Sequence, residues 1–307
     1  MTGGGSGVLV VDKATGVTSF DAVALARRRL GIRRVGHAGT LDPPATGVLP
    51  LLLGEATKLM PYLMDQNKEY VATIRFGVST DTHDLTGTVL AESPVGALSR
   101  DRVEAACRPF VGRITQVPPM FSAVHHEGRR LYELAREGVE VERAPREVVI
   151  TSITVEEVVD ASATLRIVCG KGTYVRVLAA DLGAALGCGG AVERLMRTRV
   201  GPFTLRAAVA WTELLDAPPA TLWARVLPVD AALVDWPAAR LDAEGARHFR
   251  HGQPAELASP LTDGRLVRVY DERGALLGVG EATTAGRCVR PVRIVHADRS
   301  GTAARPA

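Results

Sequence analysis

The twelve residues GHAGTLDPPATG, Gly36 to Gly47, hold one carboxylate, Asp42, in a backbone with little freedom. Pro43 and Pro44 follow it, and a residue before proline is pushed out of the helical region into extended geometry. Each proline fixes its own φ and removes a backbone donor, while Gly36, Gly39 and Gly47 supply freedom for tight turns on either side. The side chain is thereby aimed. A lone carboxylate held in this way can act as nucleophile or general base, and a nearby arginine would keep it ionised. That chemistry suits attack on a sugar or base carbon without a metal. An Asp-Pro pair is also an ordinary turn former, so the loop alone leaves both readings open.

Absences narrow the field. The sequence holds no GxxxxGK[ST] phosphate loop, no GxSxG elbow and no HxE with PCxxC, so no cofactor is implied. Cys107, Cys169, Cys188 and Cys288 are far apart without CxxC spacing, which reads as reduced core residues rather than a zinc site or a disulfide framework. A chain of 307 residues with 46% apolar content favours two domains of a globular protein. MTGGGSG has neither a basic start nor an apolar core, and Val48 to Leu53 is too short to span a bilayer, so a cytoplasmic protein is expected. The net charge of +3 names no partner, but its distribution is uneven. RRRLGIRR, Arg27 to Arg34, has five arginines and no acid, and RLMRTR, Arg194 to Arg199, adds three. Forked guanidinium donors match phosphates, although a solvated helix end is an equal reading of such clusters.

The elements that must position Asp42 follow from pattern. Val8 to Val11 reads as a buried strand, and TSFDAVALARRRLG as a helix with Ser19 as N-cap and Gly31 as its stop. Tyr70, Ala72, Ile74 and Phe76 alternate on one face of a strand that Tyr70 opens at an edge or in a sheet. TDTHDLTG, Thr80 to Gly87, is a polar loop, and a helix runs from about Ser99 to Phe110. Gln116 to Gly138 is an excursion from the core: a proline-broken start, an extended piece and a short helix. EVVITSITVEEVV and TLRIVCG are strands, and GTYVRVLAADLGAALG is a helix closed by Gly187. Strands followed by a helix without βαβ alternation indicate an α+β fold with a mixed, largely antiparallel sheet. A proline-rich connector after Trp211 leads to a smaller unit, where RLVRVYDERGALLGVGEA has the form of a hairpin. The expected division is a disordered tail at 1–7, a catalytic domain at 8–236 with an insertion at about 116–146 and the connector at about 211–236. A small domain at 237–296 and a disordered tail at 297–307 complete it.

Five blocks in order carry a resemblance: GHAGTLDPPATGVLPLLLGEATKL, KEYVATIRFGVSTDTHDLTG, QVPPMFSAVHHEGRRLYELAREG, KGTYVRVLAADLG and VERLMRTRVGPF. From about Val8 to Phe203 the chain resembles the bacterial tRNA pseudouridine synthase B family. The resemblance implies isomerisation of uridine 55 in the tRNA T-arm to pseudouridine, without metal or organic cofactor, on a pseudouridine synthase fold with a small PUA-type β-barrel domain. It places Asp42 as the catalytic carboxylate, attacking carbon 1′ or helping to expel uracil through a glycal. Arg176 becomes its ion-pair partner, and Tyr70 the residue that stacks on the base and is placed to take the carbon-5 proton. His37 fills the gap left by the flipped nucleotide, and Tyr174 and Leu195 line the uracil pocket.

By the same resemblance the insertion is a mobile thumb, and Arg27, Arg33, Arg34, Arg129, Arg130 and Arg197 are RNA contacts. A monomer is expected. Two other classes compete: a tRNA-binding or RNA-chaperone protein that lacks catalysis, and a carbohydrate-active enzyme. The second needs a further acid at a defined distance. Asp81 and Asp84 are its candidates, and both are read as structuring their loop.

Overall fold

The alternation at Tyr70, Ala72, Ile74 and Phe76 becomes the buried face of the strand Lys68–Phe76, in a computed structural model that describes residues 5–122, 125–126 and 128–296. Apolar side chains at every second position pack one face of a pleated strand into the core. This strand is interior to a ten-stranded sheet, not at its edge, and pairs antiparallel with Gly190–Val200 on one side and Ser162–Cys169 on the other. Beyond the first neighbour lie Thr46–Leu53 and Gly7–Lys13; beyond the second lie Arg146–Val159 and Gly112–Gln116. Thr46–Leu53 runs parallel to Gly190–Val200, and Gly7–Lys13 runs parallel to Val209–Ala210. Most other neighbours are antiparallel, as the α+β reading requires.

Helices Ser19–Leu30 and Val175–Ala185 bury Ala22, Val23, Leu178 and Leu182 in the same core as Tyr70 and Ile74. The first helix is capped by Thr18, a correction to Ser19. Thr18 Oγ1 accepts from Asp21 N at 3.0 Å while the Asp21 carboxylate accepts from Thr18 N at 2.8 Å, a reciprocal box that satisfies two orphan donors. Ser19 is thereby released to bond the Asp42 loop. Gly31 ends the helix in the left-handed region at φ 65°.

RLMRTR lies in the strand Gly190–Val200, so its arginines do not form a helix end. The excursion after Gln116 contains the paired strands His125–His126 and Arg129–Arg130 and the helix Leu131–Arg136. After Trp211 come short helices at Trp211–Asp216 and Pro219–Ala224, whose Leu214 and Leu222 are buried in the main core.

A second, five-stranded sheet runs in the order Ala238–Leu241, Leu266–Asp271, Leu276–Thr283, Cys288–Ile294, Ala255–Glu256. The hairpin read from RLVRVYDERGALLGVGEA is its centre. Asp271 Oδ1 accepts from Arg273 N and Ala275 N and so shapes the turn. Val279 and Val295 share a cluster with Val8, Leu52 and Leu63, and Lys58 Nζ donates to Ile294 O at 2.9 Å, so this sheet is seated on the first unit.

Cys107, Cys169 and Cys188 are buried and Cys288 is partly so, all as free thiols; burial pushes Cys107 and Cys169 up to about 11. Of the expected tails, residues 1–4 and 297–307 lie outside the described residues. Gly7 opens the first strand, and Ser6 Oγ accepts from Glu55 N at 2.9 Å. Among the described residues no helix is long and apolar enough to cross a membrane.

Candidate active site

Asp42 is anchored through the backbone on both sides. Ser19 Oγ accepts from Leu41 N at 2.9 Å and donates to Leu41 O at 3.1 Å. Pro43 O accepts from Gly16 N at 2.8 Å and from Lys13 Nζ at 3.2 Å. Ala45 N donates to Asp42 O at 3.1 Å, closing the turn that the two prolines prepare. Gly39 and Gly47 take φ of 99° and 102°, as expected for turn glycines. Gly36 does not: it sits in the strand Val35–His37, where a Cβ would come within 2.4 Å of Met60 Cε. Its requirement is close packing rather than turn geometry.

The Asp42 carboxylate, about a third exposed, meets Arg176 at 2.9 Å from Oδ2 to Nε. Arg176 itself is 5% exposed, and its remaining nitrogens donate to Thr82 O at 2.9 Å and Phe121 O at 2.7 Å. Thus one guanidinium ties the aspartate to the TDTHDLTG loop and to the start of the excursion. Asp84 Oδ2 lies 3.9 Å from the same Nε. Its Oδ1 accepts from Thr86 N and Thr82 Oγ1, while Asp81 Oδ1 accepts from Thr88 N, so both acids structure the loop as read from the sequence. Asp84 also adds negative charge beside Arg176, a role the sequence reading did not assign.

An open cleft of about 500 Å³ brings together Asp42, Tyr70, Tyr174, Arg176 and Leu195. The volume lies within the range of small-ligand sites. Tyr70 is buried, and loss of solvent raises its hydroxyl above the usual tyrosine range, with Arg197 opposing that shift. Burial raises Tyr174 likewise. Tyr174 precedes the helix that carries Arg176, and Gln116 grips its backbone: Oε1 accepts from Tyr174 N at 3.0 Å and Nε2 donates to Tyr174 O at 3.3 Å. His37 is partly buried in the short strand leading into the loop and does not line this cleft.

Arg197 requires a correction. Expected on the RNA-contacting surface, it is 1% exposed, and its guanidinium donates to Val48 O at 2.8 Å, Thr40 O at 3.4 Å and Gly39 O at 3.1 Å. The sequence places it in an arginine-rich run, but strand alternation turns it into the core while Arg194 points outward. Arg27 and Arg33 are exposed; Arg27 also donates to Val35 O at 2.9 Å. Arg34 is ion-paired with Glu55 at 3.1 Å and Arg129 with Glu137 at 2.5 Å. The Arg130 side chain lies outside the described residues.

Lys13 and Gln116 were missed by sequence reasoning. A lysine ending a buried strand was the only available signal for the first. Lys13 is fully buried, donates to Ala14 O, Val17 O and Pro43 O, and is pushed down to about 8 by burial, with Asp42 opposing that fall. Lys68, in the cleft wall, is also lowered to about 8 by burial. Among the described residues no cluster of three or more His, Cys, Asp or Glu could hold a metal ion.

Three family models match successive parts of this chain. Residues 27–175 match the TruB family pseudouridylate synthase N-terminal domain, 176–234 the tRNA pseudouridylate synthase B C-terminal domain, and 237–295 the pseudouridine synthase II TruB C-terminal model. A protein of Ralstonia nicotianae named tRNA pseudouridine synthase B is 47% identical over 94% of each chain. One of the same name from Pseudomonas aeruginosa is 43% identical, covering 95% of this chain and 96% of its own. Among solved structures, a Cbf5-Nop10-Gar1 complex superposes with a TM-score of 0.72 at 26% identity, covering 94% of this chain and 84% of that one.

Proposed function

The chain belongs to the TruB pseudouridylate synthase family and forms pseudouridine in tRNA, and from that premise we propose that its target is uridine 55 in the T-arm loop. The observation that carries the site assignment is the Asp42–Arg176 pair in the wall of a cleft also lined by Tyr70 and Leu195. Asp42 is the catalytic carboxylate. It either bonds to carbon 1′ as the N1–C1′ bond breaks, or assists departure of the uracil through a glycal. The base then turns and a C5–C1′ bond forms, as the Asp42–C1′ ester bond breaks in the first route or as C2′ regains the proton it gave up in the second; the C5 proton is then lost to solvent and N1 gains a proton. Composition is unchanged, so the isomerisation needs neither oxidant nor reductant.

Each remaining residue answers a demand of working on a stacked base, whose extrusion costs a few kcal/mol. Tyr70 stacks on the flipped uracil and faces carbon 5, Tyr174 and Leu195 enclose it, and His37 occupies the vacated space in the loop. Arg176 pairs with and orients the carboxylate. Arg27, Arg33, Arg34, Arg129 and Arg130 contact the RNA backbone, and the insertion at 116–146 closes on the stem-loop as a thumb. The catalytic domain is 8–236, and the PUA-like unit at 237–296 contacts the same tRNA. The enzyme acts as a cytoplasmic monomer.

Chemical mapping of pseudouridine in a T-arm stem-loop and in full tRNA transcript, after incubation with purified protein, tests the reading. Modification at position 55 is expected. Tight binding with the uridine left unmodified would favour the non-catalytic alternative instead.

A further inference from the structure

Arg197 is a buried cation held chiefly by main-chain oxygens. Its strand partners are informative: it stands opposite Gly47 in the parallel pairing and opposite Tyr70 in the antiparallel one. Residues directly opposite in an antiparallel pair project from the same face. A register irregularity between Arg197 and Arg199 breaks the regular pairing there, the kind of feature that re-aims a side chain beside an active site. The guanidinium reaches the carbonyls of Gly39 and Thr40 before Asp42 and that of Val48 after it, and from its place opposite Tyr70 its charge opposes the rise of the Tyr70 hydroxyl. A guanidinium held in the core against the carbonyls of Gly39, Thr40 and Val48 is costly to bury, so packing alone does not account for it. Close approach is enforced from the other side, because a Cβ on Gly47 would lie 2.2 Å from Arg197 O.

We infer that Arg197 is a positioning residue that ties the Asp42 loop to the strand position opposite Tyr70, so that the separation of Asp42 and Tyr70 stays fixed while the detached uracil turns between them. This rests on the roles of Asp42 and Tyr70 set out above. Arg197 borders the cleft, but its guanidinium is committed to the loop carbonyls, so it acts through both residues. A lysine keeps the charge but donates from a single nitrogen, whereas the planar guanidinium reaches Val48 O, Thr40 O and Gly39 O from three separate nitrogens held as a fork.

The test compares wild type, Arg197→Lys, Tyr70→Phe and the double variant by single-turnover pseudouridine formation on a T-arm stem-loop. RNA affinity and amide exchange across residues 38–48 are measured alongside. The expected result for Arg197→Lys is a rate loss of at least about 30-fold, stem-loop affinity within about threefold, and faster exchange in the loop with the overall unfolding midpoint little changed. The double variant should be at least about fivefold faster than the product of the single effects, since coupled sites are not additive. Arg197→Gln serves as the second variant. Wild-type rate, multiplicative effects, or a loss confined to RNA affinity would each overturn the inference. Failure of both variants to fold would assign Arg197 to the scaffold alone and overturn it as well. An inactive wild type would instead count against the function, and the loop-exchange readout stands apart from that result.

Discussion

Arg176 reaches Asp42 with Nε at 2.9 Å while its two other nitrogens are committed to Thr82 O and Phe121 O. The geometry is a fixed fork rather than a free charge, which distinguishes arginine from lysine. Arg176→Lys should therefore lower the single-turnover rate by roughly 10²- to 10³-fold, in the range for losing one oriented electrostatic contact, with little change in stem-loop affinity. A rate within about twofold of wild type would show that charge alone suffices.

Gln116 couples the root of the insertion to the helix bearing Arg176, through both backbone atoms of Tyr174. Gln116→Leu leaves Tyr174 N without its acceptor, while Tyr174 O keeps the bond from Leu178 N at 3.1 Å, a cost of about 1–3 kcal/mol in unfolding free energy. Urea denaturation should report that loss, and the catalytic rate should fall more than stem-loop affinity does.

Gly47 is held at φ 102° with Arg197 main-chain atoms where a side chain would begin. Gly47→Ala combines a left-handed strain of about 1–3 kcal/mol with a backbone clash that only movement of the Asp42 loop relieves. The variant should unfold at lower temperature and lose activity, whereas Gly16→Ala, which meets no atom within 4 Å, should pay the strain without the clash and unfold later than Gly47→Ala.

Burial pushes Lys68 from 10.5 to about 8, so between these values the unfolded chain binds the proton that the folded chain has released. Stability contributed by this depressed group is present at high pH and lost as pH falls through about 8. Relative to Lys68→Met, wild type should gain stability as pH rises from about 8 to 10, by at most ~1.4 kcal/mol per pH unit. Denaturation series at several pH values check the sign; a loss of wild-type stability relative to Lys68→Met as pH rises would contradict it.

Much of this site was legible in the sequence because local rules were strong there. Two prolines, turn glycines and a period-two strand announced the Asp42 loop and Tyr70, and five ordered blocks linked them to Tyr174, Arg176 and Leu195. Local rules failed where tertiary contacts decide. Arg197 belongs to a basic run, and nothing in its neighbours tells an inward strand arginine from an outward one. Lys13 looks like a strand-end lysine until the carbonyls that surround it are in place. Serine at a helix start usually caps it, yet Thr18 and Asp21 form the box and free the Ser19 hydroxyl for Leu41. His37 belongs to the strand entering the loop rather than to the cleft wall, a distinction that residue spacing does not carry.

The central claim is that Asp42 performs the chemistry and that RNA recognition is carried by other groups. Tritium release from a carbon-5-labelled T-arm transcript, measured for wild type and Asp42→Asn with stem-loop affinity determined in parallel, tests it most directly. Rapid release by wild type is predicted, with a fall of at least about 10³-fold in Asp42→Asn and affinity within about threefold. Release by Asp42→Asn at a rate close to wild type would contradict the assignment.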